Sequence, residues 1–243
     1  MQPVTTRSDS AGAGRTFPTS LRAADRVYAE LKENLLEGTY RAGQRLRVET
    51  LTETLGVSKQ PVMESLRRLS VEGLVVITPQ VGCSVVEYEQ DEVADYFQMV
   101  AAIEGASNAM AAVRRTAADL EQLREISARI GALLNEQSFE ARAHGYRVMN
   151  REFHGLIHAS CGTAIVQSVG RSMMDRCDFF INCSTDRSPL GDALAERQAE
   201  HEAIVDAIAD RDPEAARSAG ALHIAGTVEL IRDAIASEKP RDS

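Results

Sequence analysis

The segment 21–88 constrains the fold of this chain more than any other, because its local signals occur in a characteristic order. Apolar residues recur at helical spacing in its first part, and two shorter amphipathic segments follow, ending near Gly56 and Gly73. Ser58 is a suitable N-cap for the third segment, and Pro61 lies in its first turn, where a missing N–H group costs little. These features predict three helices.

Two β-rich runs, LVVI and CSVVEY, follow the third predicted helix and are separated by TPQVG, which is typical of a turn. Three helices followed by a hairpin predict a winged helix-turn-helix domain over residues 19–88. Residues 1–18 are rich in Ser, Thr, Gly and Ala, and we expect them to form a disordered arm.

Residues 89–243 show helical periodicity almost throughout and no strand-like alternation. We therefore predict a mainly α protein, in which the winged helix with its small β-hairpin precedes an all-α bundle of six helices. The six helices are predicted near 91–115, 117–135, 139–160, 163–184, 191–210 and 213–236.

Charge is distributed unevenly between the two parts. The net charge is -9, and nearly all of the excess negative charge lies after Tyr88. This pattern argues against a protein that binds nucleic acid over its whole surface, and it favours two domains with different partners. No apolar run is long enough to cross a bilayer, and the N-terminus lacks the apolar core of a secretory signal. The four cysteines show no CxxC spacing, so we expect a cytoplasmic protein with reduced thiols.

The third predicted helix carries the residue types that read DNA. Lys59, Met63 and Arg67 recur every four residues and share one face, opposite the apolar residues of the same helix. Lysine suits guanine acceptors and glutamine suits adenine, so Lys59 and Gln60 are candidates for base contacts. Arg67 and Arg68 are candidates for phosphate contacts. The alternative is a solvated helix face in a purely structural domain.

Three stretches of this segment resemble the GntR family of bacterial transcription regulators, in the FadR branch that carries an all-helical FCD ligand-binding domain. They are GTYRAGQRL (38–46), LTETLGVSKQPVMESLRRLSVEGLV (51–75) and VGCSVV (81–86). The resemblance implies binding to double-stranded operator DNA. The full set of candidate DNA-binding residues is Ser58, Lys59, Gln60, Met63, Arg67, Arg68, Gln80 and Gly82.

Two of these positions depart from the usual family sequence. Lys59 and Met63 each replace an arginine, and the arginine at the second position is the one the family uses for base contact. Methionine cannot donate a hydrogen bond to guanine, but it can pack on a thymine methyl group. We therefore predict that Met63 contacts a base through apolar packing. The operator should then differ from the family's commonest operator sequence at the base pair that Met63 faces. The alternative is that Met63 turns inward as a packing residue.

The five histidines all lie in the acidic half of the chain. Asn150 and His154 are four residues apart and share a helix face. His201 and His223 lie at similar distances on either side of the turn near Asp212, so an antiparallel helix pair brings them to similar heights. Three imidazoles and an amide oxygen suit a divalent metal with open positions. The alternative is that these histidines are buried hydrogen-bonded residues or surface residues.

The FCD resemblance implies the same four residues as metal ligands. The matching stretches are NREFH (150–154), EHEAIVDAIADRDPEAA (200–216) and His223. Asn150 stands where the family usually has aspartate, which removes one negative charge. Zinc and nickel are the expected metals. His158 lies one turn beyond His154 and is a rival to it, whereas His144 has no evident partner.

The resemblance also implies a small-molecule effector, because FCD domains sense small organic acids. A metal in the bundle would then anchor a carboxylate group. Many FCD proteins carry an arginine in an R-x-x-x-E setting on the first helix of this domain, but here Val100 precedes Glu104. Arg147 and Arg171 are the substitutes that the sequence offers for effector binding.

We therefore expect a homodimeric transcription regulator, a repressor rather than an activator, that binds a short inverted repeat and responds to a carboxylate metabolite. Two alternatives remain open at this stage. One is a regulator in which the metal itself is the signal. The other is a metal-dependent enzyme with a vestigial DNA-binding head; we do not expect it, because Glu152 and Glu202 turn away from the candidate ligands beside them.

Overall fold

The computed structural model describes residues 19–183 and 189–238. The fold class predicted from the sequence is confirmed: the protein is mainly α, with a winged helix-turn-helix domain followed by a helical bundle. The predicted N-terminal arm, residues 1–18, lies outside the described residues.

The winged helix-turn-helix domain consists of three helices and a three-stranded antiparallel sheet. Its elements are α1 (Thr19–Leu36), β1 (Arg45–Leu46), α2 (Val48–Leu55), α3 (Lys59–Val71), β2 (Val75–Thr78) and β3 (Gly82–Val85). The sheet order is β1-β3-β2, with Val76 opposite Ser84 and Leu46 opposite Cys83. The sequence analysis did not identify β1, because two residues are too few to show a β alternation.

Helix α3 is placed by its apolar face. Val62, Leu66 and Leu69 are fully buried, and α1 packs against them. Ser65 adds a buried hydrogen bond from its hydroxyl to the Ala24 carbonyl oxygen of α1, at 2.9 Å. Ser58 occupies the N-cap position as expected, but its side chain makes no capping hydrogen bond. The opposite face of α3 is thereby left toward solvent.

The C-terminal domain is an all-α bundle, as predicted. Its helices are α4 (Gln90–Arg114), α5 (Ala117–Ala132), α6 (Phe139–Ser160), α7 (Ala164–Cys183), α8 (Pro189–Asp192), α9 (Leu194–Ala209) and α10 (Pro213–Glu238). Two details differ from the sequence-based prediction. Residues Leu133–Asn135 form a short 3-10 helix rather than the end of α5, and the predicted helix 191–210 is divided at Ala193 into α8 and α9.

Helix α1 also contacts the bundle, so it lies between the DNA-binding domain and the C-terminal domain. Lys32 of α1 forms ion pairs at 2.8 Å with Glu72, just after α3, and with Asp175 of α7. The amide of Asn182 donates to the Leu36 carbonyl oxygen at 2.8 Å. These contacts attach the two domains to each other through α1.

The four cysteines are buried and free, and no described helix is long and apolar enough to cross a membrane. Burial raises the pKa of the Cys83 thiol to about 11, and it raises the pKa of the Cys161 thiol to about 11 as well. Both thiols therefore remain protonated and unreactive near neutral pH.

We expect Leu66→Ala to lower the free energy of unfolding by about 2–5 kcal/mol, because it removes a fully buried side chain and leaves a cavity in the α1–α3 core. The matched control is Val71→Ala in the same helix, whose side chain is 89% exposed. Its effect should stay within about 0.5 kcal/mol. Urea unfolding followed by circular dichroism measures both, and equal effects of the two substitutions would contradict this account of the core.

Candidate metal centre and DNA-binding surface

Three imidazoles meet inside the bundle. His154 of α6, His201 of α9 and His223 of α10 are all buried, and each offers a ring nitrogen within 4.8 Å of the others. The ring centroids of His201 and His223 are 4.6 Å apart, and that of His154 lies 5.3 Å from His223. The three helices therefore bring together the three histidines that the sequence analysis selected.

Asn150 completes the predicted ligand set on the buried side of α6. It lies one turn before His154 and is 6% exposed. Its side-chain oxygen accepts a hydrogen bond of 3.3 Å from the Tyr146 hydroxyl. Tyr146 is itself buried, and its ring stacks on His201 with centroids 6.0 Å apart. The amide oxygen thus lies among the same buried groups as the imidazoles.

Carboxylates hold two of the three imidazoles through Nδ1. Glu104 Oε2 lies 3.0 Å from His154 Nδ1, and Glu200 Oε2 lies 2.8 Å from His223 Nδ1. Burial acts to raise the pKa of Glu104, but the hydrogen bonds and charges of His154 and His158 lower it to about 2. An ionised carboxylate accepts a hydrogen bond from Nδ1–H, which leaves the Nε2 lone pair of these two histidines free to bind a metal.

Two of the histidines, His201 and His223, are held as neutral bases. Burial lowers the pKa of His201 well below its usual value, and the nearby His223 and His154 lower it further. Burial likewise lowers the pKa of His223, together with the charges of His154 and Arg197. A neutral imidazole keeps the lone pair that a metal ligand needs.

The residues present fit a divalent metal ion. His154 Nε2 and both ring nitrogens of His201 are buried without a hydrogen-bond partner in the described part of the chain. Unpartnered buried polar atoms are costly, and coordination of a metal would satisfy one nitrogen of each of these histidines. Imidazole and amide donors suit zinc, nickel and similar ions.

The two arginines predicted to bind an effector lie elsewhere. Arg147 pairs with Glu33 of α1 at 2.9 Å and with Glu37, which directly follows α1. Arg171 is exposed and lines a surface cleft between α6 and α7. Val100, which replaces the usual family arginine, is buried in the apolar core.

The other two histidines are not part of the cluster. His158 Nε2 is hydrogen-bonded to Glu104 Oε1 and therefore does not compete with His154. His144 is exposed and lies 3.5 Å from Glu37. Glu152 and Glu202 are both exposed to solvent, as their positions beside the ligands predicted.

Sequence reasoning missed two residues behind the triad, Glu200 and Arg197. Arg197 is 4% exposed, and it binds both Glu200 and the backbone carbonyl oxygen of His223. The sequence gives no local signal for this role, because Glu200 and Glu202 both neighbour His201 and each projects about 100° away from it. Only the packing of α9 against α10 shows that Glu200 lies beside the helix that carries His223.

The candidate DNA-reading residues lie at the exposed N-terminal end of α3. Ser58, Lys59 and Gln60 are exposed, and the side chain of Arg67 is 67% exposed although it lies 3.8 Å from Glu64. Met63 is half-buried and packs against the core while part of it remains accessible.

Arg68 differs from its neighbours because it already has partners. Its guanidinium lies 3.8 Å from the centre of the Tyr28 ring and donates to Asp25 at 2.7 Å. A phosphate contact by Arg68 would compete with Asp25. In the wing, Gln80 has φ 64° and Gly82 has φ 126°, so the hairpin turn uses left-handed backbone at both positions.

Comparison with known families agrees with this architecture. Residues 23–85 match the bacterial regulatory proteins of the gntR family, and residues 95–226 match the FCD domain. The chain belongs to the GntR family, in the branch with an FCD domain. It is a DNA-binding transcriptional regulator of the GntR/FCD type.

Several proteins are similar to this GntR/FCD regulator over most of their length. The HTH-type transcriptional repressor GlaR of Escherichia coli is 22% identical over 86% of this chain and 96% of its own. The Nta operon transcriptional regulator of Aminobacter aminovorans is 26% identical over 84% and 94%. Among solved structures, E. coli McbR/YncC has a TM-score of 0.71 at 20% identity, covering 87% of this chain and 97% of its own. These relatives are named as regulators, and the solved structure shows the same fold.

We expect metal-free protein to lose stability as the pH falls below about 4.5, because Glu104 has a lower pKa in the folded state than in the unfolded state. A carboxyl with a depressed folded pKa stabilises the fold above its unfolded pKa, and this contribution is lost as pH falls toward 2. The decrease in the free energy of unfolding attributable to Glu104 should be up to about 3 kcal/mol. Urea unfolding at pH 4.5 and at pH 2.5 measures it, and Glu104→Gln should show a smaller difference between the two. Identical pH dependence of both proteins would contradict this assignment.

Proposed function

We propose that this GntR/FCD regulator is a repressor whose operator affinity is controlled by a small organic acid bound at a metal centre in the FCD domain. The observation that carries the proposal is the buried cluster of three imidazoles in a domain attached to the DNA-binding domain through α1. Ring nitrogens of His154 and His201 have no hydrogen-bond partner among the described residues. Zinc and nickel are the proposed metals, and His154, His201, His223 and Asn150 are the proposed ligands.

The proposed ligand chemistry follows from the charges around the cluster. A divalent ion, when bound, supplies positive charge and open coordination positions for a carboxylate. Val100 supplies no positive charge from α4, and Arg147 is paired with Glu33 and Glu37. This distribution favours a compact acid whose negative charge is met at the metal. Arg171 lines the α6–α7 cleft and is retained as a candidate for an effector that reaches the surface.

A connection between the centre and the DNA-reading helix supports control of operator affinity. Asn150 lies on α6 between Arg147 and Arg151, and both arginines form ion pairs with Glu33 of α1. Helix α1 in turn packs along α3 and pairs with it through Asp25 and Arg68. A movement of α6 that accompanies ligand binding would therefore act on α1 and shift the orientation of α3.

We also propose a homodimer that binds a short inverted repeat, because two-fold symmetry in the protein matches two-fold symmetry in an operator. Exposed apolar side chains on α4 and α7 support this proposal. Met99, Ile103 and Val169 line one groove between these helices and are 59%, 39% and 49% exposed. Such a surface suits contact with a second copy.

For Met63, we propose contact with a thymine methyl group by its accessible part. Met63→Arg should then change the preferred operator toward guanine at one position in each half-site, because arginine donates two hydrogen bonds to guanine. Selection from random DNA with the wild type and the variant measures this change. An unchanged preferred sequence would show that Met63 serves only as packing on the core. Arg124→Ala, an exposed arginine of the FCD domain, is the control and should leave the selected sequence unchanged.

The selected operator then allows a test of the regulatory proposal. With chelated wild type, zinc or nickel alone should change operator affinity little, and addition of a panel of carboxylates from acetate to citrate should identify acids that weaken binding. The expected weakening is about 5–150-fold, the usual range of allosteric coupling. His201→Ala should bind the operator but lose this response, because a proposed metal ligand is missing. Fluorescence anisotropy of a labelled operator measures the operator affinity of each protein without metal, with metal alone, and with metal and acid.

The control is His144→Ala, an exposed histidine outside the cluster, which should respond as the wild type does. A large change in affinity with metal and no acid would instead favour a metal sensor. An acid response that persists in His201→Ala, or in fully chelated wild type, would contradict control through this centre.

A further inference from the structure

A second set of buried side chains surrounds the three clustered histidines. It forms hydrogen bonds to some of the imidazoles but not to all of them. His154 and His223 each have Nδ1 bound to a carboxylate, whereas neither ring nitrogen of His201 has a partner in the described part of the chain. His201 is held only by packing, with the ring of Phe153 at 4.3 Å between centroids. Two of the imidazoles thus have their tautomer set by the protein.

His223 has further contacts besides the one between its ring and Glu200. Arg197 donates from Nη2 to Glu200 Oε1, and the other oxygen of the same carboxylate lies 2.8 Å from His223 Nδ1. The second terminal nitrogen of Arg197 donates to the His223 backbone carbonyl oxygen at 2.9 Å. The arginine therefore contacts His223 at the backbone and, through Glu200, at the ring.

Space for the guanidinium comes from a glycine in α10. A Cβ atom at Gly226 would lie 2.6 Å from Arg197 Nη2, closer than side-chain atoms approach one another. Arg197 is one helical turn before His201 in α9, so the same helix supplies one imidazole and the support for another. Because Arg197 is buried away from solvent, its positive charge is compensated by the carboxylate of Glu200.

We propose that Glu200 and Arg197 are positioning residues of the centre, which keep His223 in the tautomer that carries its proton on Nδ1 and presents Nε2. The inference rests on the proposed function, since Nε2 is presented to a metal. Glu104 performs the same role for His154. Among the described residues His201 has no such carboxylate, so its tautomer is selected by the ion itself. Outer partners of this kind typically contribute about 10–100-fold to metal affinity.

The first measurement needs no metal. In chelated, full-length protein with ¹⁵N-labelled histidine, two-bond ¹H–¹⁵N correlation spectra report which ring nitrogen carries the proton. Wild type should show His223 protonated on Nδ1. Glu200→Ala should show a mixture of tautomers or the Nε2–H form, and Glu200→Gln should lie between them, because an amide oxygen still accepts a hydrogen bond. An unchanged His223 tautomer in Glu200→Ala would overturn the inference.

The second measurement is zinc affinity by competition with a chelator, together with the visible spectrum of cobalt(II) bound in place of zinc. Glu200→Ala and Arg197→Met should each lower zinc affinity by about 10–100-fold and change the cobalt spectrum, which reports ligand number and geometry. Arg197→Lys should restore part of the affinity, because a lysine can still pair with Glu200. Thermal unfolding of the metal-free variants separates these effects from loss of the fold.

Glu202→Gln is the matched control, since Glu202 is an exposed glutamate of the same helix that accepts a hydrogen bond from Gln198 and contacts no histidine in the described structure. It should bind zinc as the wild type does. A loss equal to that of Glu200→Ala would indicate a general effect of charge and overturn the inference. Failure of the wild type to bind any metal would overturn the proposed function instead, whatever the tautomer spectra show.

Discussion

An ionised carboxylate with no exposure to solvent must be compensated by nearby donors, and Glu104 is such a carboxylate. His154 and His158 provide the donors, one to each oxygen. This pairing brings α4 and α6 together and determines which nitrogen of His154 faces the other two imidazoles. The geometry of the cluster, and every function that we propose for it, depends on this buried charge.

The position of α1 has consequences for both domains. Its apolar residues Leu31 and Leu35 are fully buried, and its charged residues Lys32 and Glu33 reach the FCD domain. The candidate DNA-reading helix α3 therefore rests on an element that is itself attached to the helix carrying His154. A regulator needs such an element, because a signal must pass from the ligand-binding domain to the DNA-binding domain through physical contacts.

Two arginines of the FCD domain that are at least partly buried are paired with carboxylates. Arg151 pairs with Asp178, and Arg197 pairs with Glu200. Under the proposed function, the negative charge of an effector is then met by the metal rather than by either of these two arginines. Asn150 strengthens this effect, because a neutral ligand leaves more of the positive charge of the ion uncompensated than an aspartate would.

Much of the architecture follows from the sequence alone. The helix periods, the glycines near the helix ends and the β-rich runs predicted the winged helix and the helical bundle, because these signals are local. The spacing of Asn150 and His154 within one helix, and of His201 and His223 about a turn, predicted the histidine cluster for the same reason. Local geometry relates residues three or four positions apart and residues across a short turn.

Only the tertiary structure decided which groups lie behind that cluster. Glu104 is 50 positions from His154, and Glu200 is 23 from His223, so no local spacing connects either pair. The structure also placed Arg147 against Glu33 of α1, whereas the sequence had offered it as a substitute for the usual effector-binding arginine. The side of a helix that a residue occupies can be read from its spacing, but the helix that packs on that side depends on how the whole bundle assembles.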